Sequence, residues 1–276
     1  MTIDEKLNKL LNQDEERMLR WFRQNLGASR KYKRAFIRQW VGDLTEFTYS
    51  KDGKVILPTM PNVQKLDTML KTIRPAMVEA GLGRYEDELI SSLGKRIKTA
   101  NTLWTQLKFE PAKLDNLNEL PLVLEHINNV RNSVLRGSIA QENEIYGALL
   151  QYSKQITERG EGIEFGQLKR TLVSKGGILP KYAGTIANTE LFGMDREIRR
   201  EQGKKSGLEQ AKYYGVLDKL TRPFCRAHVG RIESYAYWDT VDNGTPLQPV
   251  TIYGGAWNCR HQLIPYSPEW GNIEWS

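Results

Sequence analysis

A chain of 276 residues, 39% hydrophobic and 26% charged, is long enough for one large domain or two ordinary ones. Its balance carries no signature of disorder. No apolar run approaches the ~20 residues that cross a bilayer, and two cysteines cannot build a disulfide framework. The net charge of +7 and a pI near 9.2 fit an anionic partner, most commonly nucleic acid, as well as they fit a mildly basic soluble surface.

The opening MTIDEKLNKLLNQDEER lacks the apolar stretch of a signal peptide, so a reducing, cytosolic origin is expected. Leu7, Leu10, Leu11, Met18, Leu19, Phe22 and Leu26 keep helical spacing, with Gly27 as the expected C-cap. From Arg17 to Arg38 the chain has no acid. Arg17, Arg20, Arg23, Arg30, Lys31, Lys33, Arg34 and Arg38 alternate there with Trp21, Phe22, Tyr32, Phe36 and Trp40. Such a mixture suits a phosphate backbone. It suits equally an amphipathic helical pair with the aromatics inside and a solvated basic face.

YSKDGKVIL predicts a hairpin turning at Asp52-Gly53, and PTMP a break. Residues 62–110 predict two or three helices stopped by Pro111, and residues 118–160 a helical pair divided at Gly137. His126 lies there beside Leu124 and Ile127 and reads as a satisfied structural histidine. A short helix, a break at Gly176-Gly177 and a long polar helix from about Lys181 to Lys205 follow. EQAKYYGVLD predicts a strand, CRAH a loop, SYAYWDTVD a short helix, DNGTPLQPVTIYGG an irregular loop and NCRHQLIPY a last strand. The fold class expected is α+β: a helical, basic N-terminal region over 1–160 and a small, loop-rich mixed domain over 161–276.

Both cysteines and two of the three histidines fall in this last region. Cys225, His228, Cys259 and His261 form a candidate Cys2His2 metal set, the kind of staple a small loop-rich unit needs. The same residues also fit a metal-free knot of buried thiols and hydrogen-bonded imidazoles, or a Cys225–Cys259 disulfide. Asp218, Arg226 and Arg260 are the expected salt-bridge and loop-pinning partners. A Cys–His catalytic pair is conceivable, but no nucleophile elbow, phosphate loop or nuclease motif accompanies it. Binding without catalysis is therefore the expectation.

Residues 180–266 also resemble a known family. Ala187, Thr189 and Glu190 stand on a helix; Asp218, Thr221, Pro223 and Cys225 follow a strand; then come Gly230 and the run Asn258-Cys259-Arg260-His261. This series resembles the minor head protein family of tailed bacteriophages, the Mu F-like head morphogenesis proteins. Members often carry Cys-Pro-x-Cys where Arg222-Pro223-Phe224-Cys225 stands here, and His-Pro-Asn-Cys-Arg-Cys where Ala256-Trp257-Asn258-Cys259-Arg260-His261 stands. A family-type metal site would then draw on His228 and His261. The resemblance implies a low-copy structural protein of the virion, assembled in the host cytoplasm. Its partners would be the portal and capsid proteins and packaged double-stranded DNA, with neither a membrane nor a small-molecule substrate. A structural zinc would be its one candidate cofactor. A head–tail adaptor or ejected internal protein, and a metal-dependent nuclease, are the competing readings.

Overall fold

The computed structural model describes residues 3–100 and 121–267. The expected stop at Pro111 lies outside them. The fold is α+β, mainly helical, with small antiparallel sheets. In chain order the elements are α1 (Ile3–Asp43), β1 (Val55–Ile56), α2 (Met60–Glu79), α3 (Leu82–Thr99), α4 (Pro121–Arg159), β2 (Ile163–Glu164) and α5 (Phe165–Lys175). After them come α6 (Ile178–Lys205), β3 (Gln210–Tyr214), α7 (Pro223–His228), β4 (Ile232–Ser234), α8 (Tyr235–Thr240), α9 (Val250–Tyr253) and β5 (Gln262–Tyr266). No helix among the described residues is long and apolar enough to cross a membrane.

Two helices are longer than their glycines suggest. α1 runs straight through Gly27, although glycine inside a helix costs about 1 kcal/mol relative to alanine. Tyr32, Phe36 and Trp40 keep a spacing of four beyond it and are all buried, and that burial outweighs the local cost. α4 likewise continues through Gly137, where a Cβ would come within 2.9 Å of the Leu179 side chain. Gly137 therefore marks close helix packing, not a helix end.

The chain groups into two compact units whose segments interleave along the sequence. Residue 160 is a local break, where Gly160 ends α4 with a φ of +64°. One unit comprises Leu26–Glu88 and Arg131–Gly184. Here Tyr32 stacks between Phe36 and Tyr85, with ring centroids 6.3 and 5.3 Å away. The Ser29 and Tyr85 hydroxyls share a hydrogen bond of 3.0 Å. The turn at Asp52-Gly53 forms with Gly53 at φ +70° and one bridge, Tyr49 to Ile56. β1 pairs mainly with the distant β2, Val55 facing Glu164 and Ile56 facing Ile163.

The other unit comprises Met1–Asn25, Leu89–Val130 and Thr185–Ser276. Its sheet has the order β4-β3-β5, antiparallel throughout, with Ala211 opposite Glu233 and Pro265. Ala211 and Tyr213 point inward from β3 and are fully buried against Trp238, Val250 and Leu263. Trp238 donates its indole N–H to the Ala211 carbonyl at 3.1 Å. α6, read as a polar helix, is largely buried here, and Asp195, Arg196 and Arg199 are at most 2% exposed. CRAH is helical and not a loop, because Pro223 occupies the first turn of α7, where its fixed φ and missing N–H favour a start.

His126 shows what such burial requires. It is 3% exposed, and its Nδ1 and Nε2 lie 2.5 and 2.7 Å from carboxylate oxygens of Glu190 and Glu197. Burial alone would pull the imidazole down, but the two carboxylates lift it to about 9. The folded value exceeds the unfolded one, so this stabilisation is complete below pH ~6.5 and is lost as pH rises through about 9. His126→Gln is expected to flatten the decline in melting temperature across that window. An unchanged decline would count against the pinned imidazolium.

Candidate metal centre

Two segments of the second unit bring the scarce residues together. α7 carries Cys225, 1% exposed, and the loop before β5 carries Cys259 and His261, each 3% exposed. The sulfurs are 3.7 Å apart, well beyond the roughly 2.0 Å of a disulfide. Cys259 Sγ is 3.9 Å from His261 Nδ1. One donor atom from each of these three residues lies within 4.8 Å of the others, close enough to share a metal ion. A further group at the two sulfurs is Tyr213 on β3. Its hydroxyl donates to Cys225 Sγ at 3.4 Å and lies 3.6 Å from Cys259 Sγ.

The local chain is shaped for this approach. A Cβ on Gly255 would stand 2.3 Å from Cys225 Sγ, and one on Gly254 would stand 2.9 Å from Cys259 Sγ. The Gly255 N–H instead donates to Cys259 Sγ at 3.1 Å. Gly254, Ala256 and Asn258 all have positive φ, and the Asn258 N–H is held by Thr189 Oγ1 at 3.0 Å. Arg196, 1% exposed, donates to the carbonyls of Cys259 at 2.6 Å and His261 at 2.9 Å, and to that of Ile252. Its guanidinium locks the loop from below.

The two thiols differ in acidity. Hydrogen bonding to Cys259, with burial, pushes the Cys225 thiol up. The bond from Cys225, with His261 and Arg196 nearby, draws Cys259 well below an ordinary thiol. Cys259 is thus the more acidic of the two sulfurs, and the thiolate is the form in which cysteine ligates a metal.

His228, expected in the same set, stands apart. Its Nδ1–H donates to the Phe224 carbonyl one helical turn back at 2.8 Å, and its ring stacks on Phe224 at 4.2 Å. The Cys2His2 set becomes Cys225, Cys259 and His261, and α7 is the reason. A helix at residues 223–228 commits the imidazole to its own backbone.

The loop-pinning network forms. Arg260 donates to Asp218 Oδ2 at 2.7 Å, and Arg226 donates to the Asp218 carbonyl at 2.9 Å. The Arg260 guanidinium holds the Asp218 carboxyl down to about 2, assisted by the Leu220 N–H and the Thr221 hydroxyl. Arg222, at an expected cysteine position, donates to the Gly255 carbonyl at 3.0 Å and to that of Trp257.

The basic stretch lies along α1. Arg20, Arg23, Arg30, Lys31, Arg34 and Arg38 are exposed, while Arg17 and Lys33 are half-buried. Arg17 is 3.8 Å from Asp14, and Lys31 is 3.4 Å from Glu88. Trp21, Tyr32, Phe36 and Trp40 are buried, so those aromatics belong to the core and offer no stacking surface for bases.

Sequence reasoning missed Tyr213 and Arg196. The run EQAKYYGVLD placed Tyr213 on a strand, but nothing in that pattern puts its hydroxyl on two sulfurs. It also missed the network of Asp14, Arg96, Asp195 and Arg199, whose only sequence signal is the spacing of four between Asp195 and Arg199 on α6. Compared with models of protein families, with curated proteins and with solved structures, the chain matches none.

Proposed function

We propose that this chain is a minor head protein of a tailed bacteriophage. In this reading it is a low-copy structural component that binds the portal vertex and inner head during head assembly or genome ejection. It acts by binding and not by catalysis. The observation that carries the reading is that the residues of the family-like series meet one another. The Thr189 hydroxyl accepts from the Asn258 N–H, Asp218 pairs with Arg260, and Cys225 lies against Cys259. These pairs join residues 34 to 69 positions apart in sequence. A structural zinc at Cys225, Cys259 and His261 would staple α7 to the loop before β5. Their burial suits a closed structural site, whereas a metal-dependent nuclease needs a coordination position open to DNA.

Quantitative mass spectrometry of purified source-phage particles, counting this chain against portal and major capsid protein, tests the reading. Abundance comparable to the portal is expected. Absence from the particle overturns it in favour of an assembly factor or an enzyme. Recovery with tails or with ejected material, and not with the head, points to the adaptor or ejected protein. The exposed arginines of α1 are proposed to meet packaged DNA or an acidic portal surface. That contact weakens as salt rises, because bound cations release counterions. Retention of duplex DNA indifferent to salt would sink it.

A further inference from the structure

Cys225, Cys259 and His261 supply three donors, and a closed structural zinc site takes four. With bonds of about 2.3 Å to sulfur and about 2.0 Å to oxygen or nitrogen, tetrahedral angles place two sulfurs about 3.8 Å apart. A sulfur then stands about 3.5 Å from the oxygen or nitrogen at another corner. The sulfurs here are 3.7 Å apart, and the Tyr213 oxygen is 3.4 and 3.6 Å from them. The edge from Cys259 Sγ to His261 Nδ1 is 3.9 Å. These four edges already approach the spacing of corners around one ion. Tyr213 is fully buried and comes from β3, the central strand of its sheet, so its hydroxyl is held without loop ordering.

A second observation is independent of those distances. Arg196 is buried, and its hydrogen-bond partners among the described residues are the carbonyls of Ile252, Cys259 and His261. No carboxylate pairs with it there. A buried cation is costly without an opposite charge nearby. A divalent ion held by two thiolates, a neutral imidazole and a phenolate carries a net charge of −1, which balances one guanidinium.

We propose that Tyr213 is the fourth ligand of a closed divalent-metal site with Cys225, Cys259 and His261, and that Arg196 is its counter-charge. The proposal rests on the zinc reading above and names the donor that completes it. On binding, the Tyr213 O–H bond breaks, the proton leaves to solvent and the oxygen lone pair binds the ion. The Cys225 and Cys259 thiols lose their protons in the same way.

The test titrates reduced, metal-free full-length protein with Zn2+ and follows the tyrosinate band in the ultraviolet difference spectrum. One equivalent of zinc is expected to raise that band. Tyr213→Phe removes the band and weakens zinc binding at least as much as losing an outer partner does, roughly 10- to 100-fold. Tyr213→His, with a nitrogen donor, restores affinity without the band. Circular dichroism of the metal-free variants checks that each folds, and the wild-type band decides the matter even if one does not. Zinc binding without a tyrosinate band overturns Tyr213 as ligand and leaves the three-residue zinc site standing. Failure of the wild-type protein to bind either Zn2+ or Co2+ overturns both.

Discussion

Asp195→Ala lowers the stability of the unit that contains it by roughly 3–5 kcal/mol, the cost of removing one partner from a buried charge pair. Asp195 is fully buried and sits between two arginines that are themselves at most 2% exposed. Its Oδ2 accepts from Arg199 Nε at 3.0 Å, and its Oδ1 pairs with Arg96. Asp14 from α1 closes the square, 3.2 Å from Arg96 and paired with Arg199. Two carboxylates and two guanidinium groups cancel, so the interior holds four charges with no net charge. Burial pushes the Asp14 carboxyl up, but Arg96, Arg199 and Arg17 together hold it below its ordinary value. Taking away Asp195 leaves two buried cations facing one carboxylate. A urea midpoint shifted by less than the equivalent of about 1 kcal/mol, the scale of an ordinary surface change, would show that solvent reaches this network.

Zinc is expected to raise the melting temperature of the wild-type protein, and Cys259→Ser to abolish that response. Free metal at a thousand times its dissociation constant adds about 4 kcal/mol to a folded state that alone binds it. Calorimetry of metal-free and zinc-loaded protein reads the gain, and a chelator should reverse it. Cys259 is the sensitive choice because four groups converge on its sulfur: Gly255 N–H, the Cys225 thiol, the Tyr213 hydroxyl and His261. The serine variant should also melt lower than wild type without metal, since its oxygen is too short to keep these contacts. A zinc-induced rise of equal size in Cys259→Ser places the metal elsewhere. No rise in either protein leaves a metal-free knot.

Much of the fold was legible in the residues. The spacing of Leu7 to Leu26, the helix ending at Lys205, the strand around Tyr213 and the helix opening at Ser234 all follow from periodicity and capping, which are local. Ser234 accepts from the Tyr237 N–H, as an N-cap serine should. The two misread glycines share one cause. Gly27 and Gly137 read as helix ends, but an end needs the chain to turn left-handed there, and neighbouring aromatic and leucine side chains kept it helical. β4 is three residues long and exists only because β3 lies beside it.

The sequence by itself determined that the protein is α+β and that its scarce thiols and imidazoles concentrate near the C-terminus. These conclusions need only composition and spacing. The tertiary structure alone decided which side chains share a cage. It removed His228 by coiling residues 223–228 into a helix, and it brought in Tyr213 from a strand 12 residues before Cys225. It placed Arg196 beneath the loop and neutralised Asp14 and Asp195 with Arg96 and Arg199. Such contacts join residues up to 185 positions apart, and no local pattern encodes them because their free energy comes from burial that exists only once the chain has folded.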